Sequence, residues 1–327
     1  MGRRDKETCR STSTLPSPPL TGPSEPFDAP LMGHGRASHL PQRGLKAARP
    51  QGTYLHTMCD RSHHVLQFVK FFKTSLLSHS GLPQIYLLYG EAGQSHDSFI
   101  KRLIVDKIKP YAASTKGELE GAVDHIPAHI DPVNELDDLK DNLRFSIFEK
   151  VASRYDPARM LASELCNHNK FKHYPFVVLQ HNFEVADWDE GLRELVEWYL
   201  TTYWAEAASG GFPSQFLIFL NFIYPHGSQP LLSRFFKPKK FSKNSFNEFL
   251  LRIKDKVNEL YPCLLFDELG YLNQKDVCRT LSYLGVHDEE ECPEWLEELF
   301  RKKRGKVRMA EVERLLKSRI NMGAAAY

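Results

Sequence analysis

From residue 54 to about residue 225 short apolar runs alternate with stretches of helical periodicity, and this alternation constrains the fold more than any other feature. Val65, Phe68, Val69, Phe72 and Leu76 recur at helical spacing, with Asp60 and Ser62 ahead of them as candidate caps. Gly81 and Pro83 end that pattern. Ile85-Tyr86-Leu87-Leu88-Tyr89 reads as a buried strand, and it stops at Gly90-Glu91-Ala92-Gly93-Gln94-Ser95. Phe99, Leu103, Ile104 and Ile108 then resume a helical period. Further on, residues 124–130 read as a strand, 137–155 and 160–167 as helices, 176–179 as a strand, 192–207 as a helix and 216–220 as a strand. Strands that alternate with helices imply a parallel sheet covered on both faces. After residue 230 the patterns are helical, at 246–260, 275–284, 294–301 and 310–319.

The expected organisation has three parts: a Pro-rich tail over 1–52, an α/β domain over 53–230 and a helical C-terminal region over 231–327. In the tail Pro16, Pro18, Pro19, Pro23, Pro26 and Pro30 sit among Ser, Thr and Gly. Few apolar side chains are there to offset the entropy of ordering, so the tail is expected to be disordered. The formal net charge of +2 gives no global attraction to nucleic acid or anionic membrane. No run reaches the roughly 18–20 apolar residues that span a bilayer, and no apolar segment follows the charged residues 3–7, so a signal peptide is not expected. The six cysteines include no CxxC pair, which points to reduced thiols in a cytoplasm.

The turn at Gly90 stands where a phosphate-binding loop of the form GxxxxGK[ST] stands, between a strand and a helix. Its first glycine is Gly90, and Gly93 lies inside. Ser95 occupies the second glycine position, His96 the lysine position and Asp97 the hydroxyl position. A histidine carries at most a partial charge near neutral pH, and Asp97 sets a carboxylate against an anionic phosphate. The strand at 176–179 ends Gln180-His181-Asn182, with no acid to hold magnesium, and the strand at 216–220 ends at Asn221. An ordinary strand-to-helix turn capped by Ser95 or Asp97 explains the loop about as well as an anion site does.

Together these residues resemble the signal-transduction ATPases of the STAND group, in their inactive subgroup. The resemblance rests on Met58-Cys59-Asp60-Arg61 followed by a helix, on the loop from Tyr89 to Ser98 with its Gly-x-x-x-Gln-x-His pattern, and on the strand from Phe176 to His181. The helix containing Trp198 to Trp204, the segment Phe266-Asp267-Glu268-Leu269 and Lys275-Asp276-Val277 add to it. It implies a P-loop NTPase-like fold and a non-catalytic sensor or scaffold in bacterial conflict and signalling systems, with effector-associated protein partners. Arg61, Gly90, Gly93, Gln94, Ser95, His96 and Asp97 are then the candidate nucleotide or anion ligands, with His96 as a donor. Gln180 and Asn221 mark the strand ends of the former site. No catalytic residue, metal or cofactor is expected beyond a weakly held nucleotide. The alternative is a nucleotide hydrolase using Asp97 or Glu184.

Other constellations are weaker. His63 and His64 beside Cys59 and Asp60 do not converge on one point and read as surface or capping residues. Cys166 with His168 and His173 leaves a thiol nucleophile open without a local motif. Lys237, Lys239, Lys240 and Lys243, interleaved with Phe235, Phe236 and Phe241, form a basic patch, and residues 301–306 form another. Both read as solvated or protein-docking faces before nucleic-acid sites. Oligomeric state is left open.

Overall fold

The computed structural model describes residues 61–79, 81–116, 123–129, 135–151, 161–185, 188–207, 211–225, 242–283 and 292–324. The Pro-rich tail and Lys237, Lys239 and Lys240 lie outside these residues.

Five strands form one parallel sheet: β1 (Gln84–Glu91), β2 (Val123–His129), β3 (Phe176–Glu184), β4 (Gln215–Tyr224) and β5 (Cys263–Leu265), in the order β2-β3-β4-β1-β5. Strand period 2 divides the apolar residues between two layers. Tyr86 and Leu88 of β1 pack with Phe68 and Phe72 of α1 (Ser62–Ser78) and with Phe99, Ile100 and Leu103 of α2 (His96–Leu103). Ile85 and Leu87 turn to the opposite layer, shared with α4 (Leu136–Phe148), α5 (Ala162–Cys166), α6 (Glu190–Trp198) and α7 (Lys243–Asn258). A π-helical turn, Ile104–Ile108, joins α2 to α3 (Lys109–Lys116). Both sheet faces are therefore buried, as the continuous apolar runs require.

The structure corrects several boundaries. Strands β3 and β4 continue past 179 and 220 because Gln180, Asn182 and Asn221 stay in the ladder, where their side chains bond one another. A polar residue ends an apolar pattern without ending the strand. Helix α4 stops at Phe148, short of 155. The helix read over 192–207 is α-helical only from Glu190 to Trp198. It continues as a π turn, Tyr199–Tyr203, and a 3-10 turn, Trp204–Ala207, which bury Tyr199, Tyr203 and Trp204 together. Helix α1 has Arg61 at its N-cap with no side-chain cap, so Ser62 is its first residue and not its cap, while Asp60 lies outside the described residues. Strand β5 falls inside the region read as helical from residue 231. At three residues it is too short for a periodic signal, yet it extends the sheet beyond residue 230.

Helices α8 (Gln274–Tyr283), α9 (Glu294–Lys302) and α10 (Met309–Ala324) form a C-terminal helical unit with its own apolar cluster, including Leu272, Val277, Leu296, Phe300, Val307 and Val312. Leu272 and Val307 close it through an antiparallel bridge. Cys278 and Cys292 are joined by a disulfide between α8 and the residues just before α9, which corrects the expectation of reduced thiols for this pair. The two residues are 14 apart in sequence, so no CxxC pattern announced them. Among the described residues, no helix is long and apolar enough to cross a membrane.

Candidate functional site

The carboxyl ends of β1, β3 and β4 meet the start of α2, and the expected residues gather there in two clusters. The first surrounds the loop. Gly93 has φ +88 and Ser95, at the N-cap of α2, has φ 53 and ψ 54, two left-handed residues that turn the chain from strand to helix. His96, the first helical residue, is 3% exposed. Its Nε2 would lie 3.2 Å from a Cβ placed on Gly90, and Leu269 closes the same space, its Cβ and carbonyl oxygen each 2.9 Å from that atom.

 That leaves no room beside Gly90 for anything larger than a hydrogen. Burial, reinforced by the Arg61 guanidinium, lowers the His96 pKa to about 3, so the imidazole is neutral. Its Nε2 meets no hydrogen-bond partner among the described residues. Arg61 is itself buried and points into the same place: Nη2 donates to Gln94 Oε1 at 2.8 Å and Nη1 to the Gly270 carbonyl at 2.9 Å.

The second cluster lies on one face of the strand ends. Period 2 puts Gln180 and Asn182 on the side of Val178, and the parallel register sets Asn182 opposite Asn221. Asp97 Oδ1 accepts from Gln180 Nε2 at 2.5 Å and from Asn182 Nδ2 at 3.1 Å, and Asn221 Nδ2 donates to Asn182 Oδ1 at 2.6 Å. His125 of β2 lies 2.9 Å from Gln180 Oε1. One carboxylate is thus held by two amides of β3, which are bonded in turn to Asn221 of β4 and His125 of β2. Glu184, the other candidate acid, is exposed at the end of β3.

Sequence reasoning missed Asn182, although its alternation with Gln180 was visible. It also missed the residues of α10 that meet the loop, which no local signal marks. Ala310 N–H donates to the Gly93 carbonyl at 3.0 Å, and Ser95 Oγ donates to Glu313 Oε2 at 3.1 Å. Neither Ser95 nor Asp97 caps α2 through a side-chain hydrogen bond, which corrects the capping alternative.

The weaker constellations fall away from this site. His63 Nε2 lies 2.6 Å from Asp267 Oδ2 and His64 Nε2 lies 3.2 Å from the Asp267 carbonyl, so both tie α1 to the segment after β5. Burial pushes the Cys166 thiol well up, against a thiolate nucleophile. In the basic turn after α9, Lys302 pairs with Glu298 and Lys303 with Glu311.

Residues 56–222 match the family described as inactive STAND. This chain belongs to the inactive STAND family. No curated protein matches it. Among solved structures the inactive STAND chain is similar to a Drosophila ORC structure bound to AT-rich DNA, at 12% identity and a TM-score of 0.35, over 68% of this chain and 30% of that one. It is also similar to the Aeropyrum pernix ORC2 protein, at 12% identity and a TM-score of 0.48, over 81% of this chain and 64% of that one. The Aeropyrum pernix ORC1 protein in complex with DNA gives 14% identity and a TM-score of 0.38, over 83% and 68%. The chain therefore spans less than two thirds of the first two.

A P-loop fold implies a magnesium nucleotide, and the residues of this inactive STAND site do not fit one. A neutral, buried imidazole replaces the lysine charge. Asp97 stands in the hydroxyl position with its Oδ1 already accepting two amides. The strand ends present amides where metal ligation calls for acids.

Proposed function

We propose that this inactive STAND protein is a non-catalytic signalling or adaptor module that senses or scaffolds effector-associated proteins in a cytoplasmic bacterial conflict system. The observation that carries the reading is the hydrogen-bonded chain from Asp97 through Gln180 and Asn182 to Asn221. Side chains that elsewhere would share a metal here bond one another, with Asn221 Oδ1 left without a partner among the described residues. Donors and acceptors that are mostly paired inside the protein have little to offer a ligand. The same pairing counts against hydrolysis through Asp97. The loop then serves as a rigid part of the scaffold, and the module works through its protein surfaces.

Calorimetric titration of the full chain with ATP, ADP and GTP, each with and without magnesium, tests this. The expected result is no saturable heat at millimolar nucleotide. Saturable, magnesium-dependent binding would overturn the reading and return the loop to a nucleotide switch.

A further inference from the structure

The loop is met by the chain's own C-terminal helical unit. Its contacts converge on Glu91, Gly93 and Ser95. Ala310 N–H, in the first turn of α10, donates to the Gly93 carbonyl. Ser95 donates to Glu313 at 3.1 Å. Arg308 lays its side chain over Gly93, where an added Cβ would come within 3.1 Å of its Cδ, and its Nε lies 4.0 Å from Glu91 Oε2. Tyr271 donates to the same Glu91 oxygen at 3.0 Å.

The character of this contact differs from that of the rest of the fold. The helical unit keeps its own apolar cluster, separate from the two clusters on the faces of the sheet. Separating it from the loop therefore exposes no sheet core and breaks mainly polar bonds. Those bonds are weak in net terms, because water replaces them once the surfaces part. Glu313 is 8% exposed, and its Oε1 finds no donor among the described residues. An under-bonded buried carboxylate lowers the stability of the closed contact further. A pivot is also present. Leu269 is bridged to Gly90 on the sheet side and Leu272 to Val307 on the helical side, so Gly270 and Tyr271 alone connect the two anchors.

We propose that α10 and the loop form an opening clasp, latched by Glu313 on Ser95 and by Ala310 on Gly93, which swings about Gly270 as one body with α8 and α9. The clasp rests on the reading of the loop as a structural element, and it gives the module two states without nucleotide. Closed, the loop's outer side is covered by α10. Open, the same loop residues and the first turn of α10 are both free to meet a protein partner.

Amide hydrogen exchange on the full chain, without nucleotide, tests the clasp. The reporter is the Ala310 amide. Two internal controls are the Leu272 amide, bonded to the Val307 carbonyl inside the helical unit, and the amides of β1. In Glu313→Ala, and separately in Ser95→Ala, Ala310 is expected to exchange about tenfold faster with both controls unchanged. Unchanged exchange at Ala310 in both variants would overturn the clasp. So would a rise at Ala310 matched by an equal rise in β1, because that pattern means general destabilisation. Nucleotide binding in the calorimetric titration overturns the reading of the loop instead, whatever the exchange experiment gives.

Discussion

A histidine sealed from water at the start of a helix has to be neutral, and this gives His96 a signature in solution. Its pKa falls to about 3, and His181, buried on the other face of the sheet 2.7 Å from the Tyr199 hydroxyl, falls equally far through burial. In the unfolded chain both would titrate near the usual value of about 6.5. Between those two values the unfolded state binds more protons, so stability rises with pH and is lost as pH falls from about 7.5 toward 5. At pH 5 each histidine should cost about 2 kcal/mol relative to pH 8. His64 and His125, also lowered by burial, act in the same direction. Urea unfolding across this range should show the slope, and His96→Gln should flatten it. A slope unchanged in that variant would mean that the ring is hydrated and titrates normally. The residue types at positions 94–97 were legible as a degraded phosphate loop. That His96 would be buried against Gly90 was not, because its surroundings include Leu269, which lies far along the chain.

At the level of elements, the turn from β1 into α2 depends on two glycines for different reasons. Gly93 needs its left-handed φ of +88 and also underlies Arg308. Gly90 has an ordinary backbone but no space, since an added Cβ meets the Leu269 Cβ and carbonyl at 2.9 Å. Gly93→Ala should lose about 1–2 kcal/mol from conformational strain, and Gly90→Ala about 1–3 kcal/mol from overpacking. Gly211, with φ +83 and nothing within 4 Å of a new Cβ, supplies the control for strain alone. Denaturant midpoints for the three variants separate the two effects. A Gly90→Ala protein as stable as the wild type would show that β1 and Leu269 are not in close contact. Element type was readable wherever apolar residues kept a period over several residues. It was not readable at the tips of β3 and β4, where Gln180, Asn182 and Asn221 look like loop residues until their mutual hydrogen bonds are known. Nor was it readable at β5, whose three residues carry too little pattern.

At the level of the whole molecule, the separate apolar cluster of the helical unit makes its disulfide a local brace. Closing a 14-residue separation should stabilise that unit by about 3 kcal/mol. Reduction, or Cys278→Ser, is expected to produce a lower-temperature calorimetric transition belonging to α8, α9 and α10, with the sheet melting where it did before. A single transition that shifts as a whole would mean that the two cores unfold together.

By itself the sequence determined the class of fold and the altered residues of its phosphate-loop pattern. Both follow from local facts, the period of apolar residues and the identity of side chains next to one strand end, and these need no knowledge of distant neighbours. The tertiary structure alone decided what those altered residues meet. Ser95 meets Glu313 across 218 residues, Arg61 reaches Gly270 across 209, and Asp97 is held by Gln180 across 83. Hydrogen bonds between groups so far apart leave no trace in spacing or composition, because they depend on how the sheet order and the helical unit bring separate segments together.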